Sequence, residues 1–146
     1  MDHTRLQRNL TLPNDVNTIP QLNEFLDSFF DEVGIGMEMT MSLNLALEEA
    51  VVNVMDYAYP KGTNGTVHID AMAANGKMSF VITDHGTPFD PTAAKEIDTT
   101  LPVEERAIGG LGIHLIRHIM DDIQYERTDN CNVLKLTKNI KSESIN

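Results

Sequence analysis

Ala74-Asn75-Gly76 stands between two runs rich in β-branched and apolar residues, Thr66 to Ala73 and Lys77 to Thr83. Asn and Gly tolerate the positive φ angles that a tight hairpin turn demands, so the two runs are expected to pair antiparallel. That hairpin, in the middle of the chain, is the frame on which the remaining segments have to be placed.

Before it the apolar spacing is helical. Leu22, Phe25, Leu26, Phe29, Phe30 and Val33 follow Pro20 and stop at Gly34, which describes one amphipathic helix. A longer helix is expected from Met37 to Tyr59, with Leu43, Leu47, Ala50, Val51, Val54 and Ala58 on its apolar face. Leu10 and Leu12 mark a short first strand closed by Pro13. After the hairpin, Ile113, Ile116, Ile119 and Met120 predict a third helix from Gly112 to Asp121, and two strands follow near Ile123 to Arg127 and Val133 to Thr137. Helices and strands in clusters argue for an α+β fold: a two-layer sandwich of a mixed, mostly antiparallel sheet with helices on one face. A length of 146 residues suits one domain, expected over 1–140 with a flexible C-terminal tail at 141–146.

Charge and cysteine usage narrow the function classes. Eleven basic residues against twenty-two acidic ones leave a net charge of -11, which repels phosphate backbones and anionic lipid, so nucleic acid and membrane are not expected partners. Cys131 is alone and no Cys/His cluster has zinc-site spacing, which implies a reducing compartment; with no run of eighteen apolar residues, a cytoplasmic location is expected. Cys131 has no His at readable spacing, so a nucleophilic role is not expected of it, and His114 and His118, one turn apart, lack a third ligand and are read as surface or interface residues.

Three short segments carry chemistry. Glu49 and Asn53 lie four apart on one stripe of the second helix, close to Asp56 and roughly opposite the apolar face. An ordinary solvated face accounts for them; a carboxylate that activates a hydroxyl and an amide oxygen that binds magnesium would need partial cover from water. Asp84-His85-Gly86-Thr87-Pro88-Phe89-Asp90 follows an apolar strand, where a carboxylate can accept from a purine amine and a glycine lets backbone approach the ring; a plain turn has the same composition. Gly109-Gly110-Leu111-Gly112 immediately precedes the third helix, offering free N–H groups and a dipole end to phosphates, or else a hinge. Between Asp84 and Gly112 lies a Pro-containing stretch too long for an ordinary connection, which suits a functional loop or lid.

In this order, Glu-x-x-x-Asn on a helix, Asp-x-Gly after a strand, a lid and Gly-x-Gly before a helix resemble the GHKL (histidine kinase-like) ATPase and kinase superfamily and its Bergerat ATP-binding fold. Leu47-Glu48-Glu49-Ala50-Val51-Val52-Asn53, Tyr57-Ala58-Tyr59, Asp84 to Pro91 and Gly109 to Ile116 are similar to the anti-sigma-factor serine/threonine kinases of bacteria, over nearly the whole chain. The resemblance implies ATP and Mg2+ as ligands, Asn53 as the metal-holding residue, Glu49 as the general base, Asp84 with Gly86 at the adenine, and Gly109, Gly110, Leu111 and Gly112 at the phosphates. The lid would run from Pro91 to Gly109, with Arg106 the nearest cation to the second glycine run, and Tyr57 stands where relatives commonly have His. It further implies a serine or threonine substrate on an anti-anti-sigma (STAS-type) protein, a sigma factor as client, and allows a homodimer. Three alternatives stay open on the sequence: a nucleotide-gated binding module without kinase activity, the catalytic half of a two-component histidine kinase, and an α+β domain that binds no nucleotide.

Overall fold

The computed structural model describes residues 5–60, 64–93 and 110–140. Strand β1 (Leu6–Pro13) leads through a short 3-10 turn (Val16–Thr18) into helices α1 (Ile19–Val33) and α2 (Met37–Tyr57). Strands β2 (Thr66–Ala74) and β3 (Lys77–Asp84) follow, then a 3-10 turn (Pro91–Ala93), helix α3 (Gly110–Ile119) and strands β4 (Asp122–Thr128) and β5 (Cys131–Asn139). The five strands form one sheet in the order β1-β2-β3-β5-β4, and every described pairing is antiparallel. This is the expected α+β sandwich. The C-terminal tail at 141–146 and lid residues 94–109 lie outside the described residues.

Local chemistry explains the elements. Asn75 and Gly76 take φ of 54° and 75°, and Ala74 pairs directly with Lys77, which is the two-residue turn whose twist matches that of the strands. Asp129 and Asn130, at φ 52° and 62°, close the β4–β5 hairpin in the same way. Asp15 accepts the Asn17 N–H at 2.9 Å to start the turn before α1, and Pro20 sits in the first turn of that helix, where a missing N–H costs nothing.

The strands alternate buried and half-exposed positions, as they do when only one face of a sheet is covered. Val67, Ile69, Phe80, Ile82, Leu134 and Leu136 point to the covered face and form one core with Leu22, Leu26, Leu43, Leu47, Ile113 and Ile116 of the helices. Phe29, Phe30 and Phe80 meet edge to face, with centroids 5.8 to 6.0 Å apart, and lock α1 to the middle of the sheet. No helix among the described residues is long and apolar enough to cross a membrane.

Register and helix packing bring distant segments together. Pairing of β3 with β5 places Asp84, the last residue of β3, directly across from Asn132. Helix α3 packs along α2, and a cleft of about 410 Å³ is lined by Glu38, Ser42 and Leu43 of α2 and by His118 and Ile119 of α3, so the two helices run antiparallel. From His118 back to Gly110 is about 12 Å of helix. The same distance along α2 from Ser42 brings the first turn of α3 to within a turn of Asn53.

Candidate functional site

Ser42, Ala46, Glu49 and Asn53 follow one another at steps of four, three and four on α2, so they share one flank. Ser42 already faces α3, and the flank is therefore the one that α3 covers. The structure corrects the expectation that Glu49 and Asn53 point roughly away from the apolar face: Asn53 is only 6% exposed, and Glu49 is half-buried. Helical arithmetic put the pair on the far side because it weighed α2 against the sheet alone, whereas α3 adds a second packing surface. No side-chain hydrogen bond of Asn53 or Glu49 occurs among the described residues. With no side-chain partner there, the Asn53 oxygen is available to a ligand.

Asp84 is more deeply enclosed, at 1% exposure. Its Oδ1 accepts from the Gly86 N–H at 2.8 Å and from Asn132 Nδ2 at 2.9 Å. Its Oδ2 is buried and has no partner. An unpaired buried carboxylate oxygen costs about 1–3 kcal/mol or more, so Oδ2 calls for a further partner, a bound ligand or an ordered water.

The loop after Asp84 is tied to the end of α2. Thr87 donates its N–H at 2.7 Å and its hydroxyl at 3.0 Å to the carbonyl of Ala58. A Cβ on Gly86 would come within 2.3 Å of the same carbonyl oxygen, so close backbone packing demands glycine here whether or not a ring approaches from the other side. Tyr59 is buried, donates to the Thr66 carbonyl at 2.7 Å and accepts the His85 N–H at 2.9 Å. Arg127 donates to the Gly86 carbonyl at 2.8 Å. Tyr57 packs its ring on Phe89 with centroids 5.5 Å apart; burial first, and the charge of Asp56 second, push its phenol above the ordinary tyrosine range and keep it a hydrogen-bond donor.

Sequence reasoning missed Asn132. Its Nδ2 donates to Asp84 Oδ1 and, at 2.8 Å, to the Thr87 carbonyl, while its Oδ1 accepts the Phe89 N–H at 3.0 Å and the Tyr125 hydroxyl at 2.5 Å. One amide thus holds Asp84, the loop beyond it and β4 together, with its bonding capacity used in full. Asn132→Leu is expected to destabilise the fold by about 3 kcal/mol or more, because it orphans several buried groups at once. A lowered urea midpoint is the measurement; an unchanged midpoint would show that water substitutes for the amide.

The glycine run differs from expectation in one respect. Helix α3 begins at Gly110, so Gly110, Leu111 and Gly112 form its first turn instead of leading into it, and the helix ends at Ile119. Their N–H groups are among those that a helix start leaves without intrahelical partners, which is what a phosphate needs. Gly109, Ile108 and Arg106 lie outside the described residues.

Cys131 also departs from expectation. The β4–β5 turn brings its Sγ to 3.1 Å from His85 Nδ1, a pair 46 residues apart in sequence and so without any spacing signal. His114 and His118 are both exposed, as read. Among the described residues no group of three His, Cys, Asp or Glu side chains could hold a metal ion by itself.

A family model described as a histidine kinase-like ATPase domain matches residues 12–138. The chain is 30% identical over 106 residues to the serine/threonine-protein kinase BtrW of Bordetella bronchiseptica, spanning 73% of this chain and 75% of that protein. It is 29% identical over 139 residues to the serine-protein kinase RsbW of Halalkalibacterium halodurans, spanning 88% and 84%. The crystal structure of the RsbU and RsbW domains of a Mycobacterium tuberculosis protein has a TM-score of 0.66 at 15% identity, over 92% of this chain and 32% of that one, a likeness that bears on the fold.

Proposed function

The chain belongs to the histidine kinase-like ATPase domain family, and from that premise we propose that it is an anti-sigma-factor-type serine/threonine kinase. On this reading it binds Mg-ATP, phosphorylates an anti-anti-sigma protein of the STAS fold, and sequesters a sigma factor or a comparable client. The relatives' names as serine and serine/threonine kinases support the reaction class. The observation that carries the nucleotide site is the buried, partnerless Oδ2 of Asp84.

Each residue then has a defined role. Asp84 Oδ2 accepts from the adenine amine while Asn132 and the Gly86 N–H fix the carboxylate through its other oxygen. The first turn of α3 directs its free N–H groups at the phosphates, with Gly110 and Gly112 keeping side chains out of the way and Gly109 and Leu111 adding backbone. Asn53 would hold Mg2+ through its side-chain oxygen, and the ion would supply charge neutralisation at the phosphates. Glu49, one turn before Asn53 on the same flank, orients the substrate hydroxyl and accepts its proton. The serine oxygen bonds to the γ-phosphorus, the bond from that phosphorus to the β,γ-bridging oxygen breaks, and ADP leaves. Catalysis of this kind is mostly positioning, which suits groups held on helix flanks and at strand ends.

Incubation with γ-labelled ATP, Mg2+ and a purified STAS-fold protein encoded in the same genome tests the reading. Label on a serine or threonine of that protein is expected. Nucleotide binding without labelled product would instead assign a nucleotide-gated binding module.

A further inference from the structure

Helix α2 is apolar on two sides. Its inner side is core, but Met37, Met41 and Leu45 are 79%, 66% and 48% exposed on the outer one. They recur every fourth residue and make a row about 12 Å long, which half-buried Val52 continues. A row of this kind on a solvent-facing side marks a contact surface, and methionine is the side chain that adapts best to a partner's shape.

Charge identifies the occupant. No Lys, Arg or His occurs anywhere from Asn9 to Pro60, although α1 and α2 both fall within that span. Glu48 is half-buried on the same outer side of α2, Glu38 and Asp56 are exposed on its border toward α3, and Asn44 holds Asp27 of α1 beside it at 2.9 Å. A second copy of this chain would set these carboxylates against themselves, and an anionic lipid surface would be repelled. A helix with apolar residues at i, i+3, i+4 and i+7 and Lys or Arg on either side would cover the row and meet the acidic rim together.

We propose that the outer face of α2, centred on Met37, Met41 and Leu45, is the docking surface for a basic amphipathic helix of a protein partner. Glu49 stands one turn beyond Leu45, at the end of the row nearer the nucleotide site, while Met37 and Met41 lie further away along the helix. None of the three apolar side chains has a part in the nucleotide chemistry, so the proposal holds whether or not phosphotransfer occurs.

The test uses the full chain and two fluorescent synthetic helical peptides of about five turns, one alternating leucine with lysine at helical spacing and one with glutamate in place of each lysine. The neutral double variant M41S/L45S leaves the charge unchanged and alters only exposed side chains. The lysine peptide is expected to bind the wild type, to bind more weakly as salt is raised, and to lose at least about tenfold in affinity for the double variant. The glutamate peptide is expected not to bind. Equal affinity of the lysine peptide for both proteins would reduce the contact to bulk charge and overturn the proposal, as would its failure to bind the wild type or equal binding of the glutamate peptide. A wild-type dimer that the double variant converts to monomer in sedimentation would assign the row to a second copy, and would overturn it too.

Discussion

Glu49→Ala is expected to lower the rate of phosphotransfer to the protein substrate by about 10²- to 10⁴-fold, the usual contribution of a positioned general base. Affinity for Mg-ATP should stay nearly unchanged, because Glu49 is placed to meet the acceptor hydroxyl and not the nucleotide. The surroundings make the variant interpretable. Glu49 is half-buried and has no side-chain hydrogen bond among the described residues, so its removal orphans no partner and leaves the flank shared with Asn53 intact. A single-turnover assay separates the effects, since loss of an interaction made only in the transition state lowers kcat and kcat/KM together. Transfer at the wild-type rate would move the base to another residue; a large rise in nucleotide Kd would place Glu49 in the binding site.

The same contrast between flanks and faces explains what was legible in the sequence. The Asn75-Gly76 turn, the core stripes of α1 and α2 and the pairing of β2 with β3 follow from local periodicity and turn chemistry, and the structure has them with boundaries shifted by a residue or two. Asp84 was legible as the residue just past a strand, and the structure makes it the last residue of β3. Its isolation was not, because it depends on Asn132 arriving from 48 residues away on β5. The approach of Cys131 to His85 escaped for the same reason. Asn53 was legible as a polar residue four from a glutamate, yet its burial requires α3, which the periodicity of α2 does not contain. At the glycine run, composition suggested a loop feeding a helix, and the helix instead extends through Gly110 to Gly112, where the cost of glycine is modest. Contacts of long sequence separation build the site; contacts of short separation build the scaffold that brings them together.

Asp84→Asn is the most demanding substitution for the nucleotide site, because it changes almost nothing else. An amide oxygen can take the place of Oδ1 and keep the bonds from the Gly86 N–H and Asn132 Nδ2, at 2.8 and 2.9 Å. The amide NH2 then occupies the position of Oδ2, where it opposes the adenine amine donor to donor. Turning the amide over would instead aim NH2 at two donors and leave the site no better off. Loss of a charge-assisted hydrogen bond of about 2–3 kcal/mol corresponds to roughly 30- to 150-fold in affinity. The fold without nucleotide should therefore persist, while stabilisation by Mg-ATP disappears. Calorimetric titration of Mg-ATP into the wild type and Asp84→Asn tests this most directly: one site per wild-type chain, weakened at least about thirtyfold by the substitution, is the expected result. Equal affinities in the two proteins, or no binding to the wild type, would contradict it.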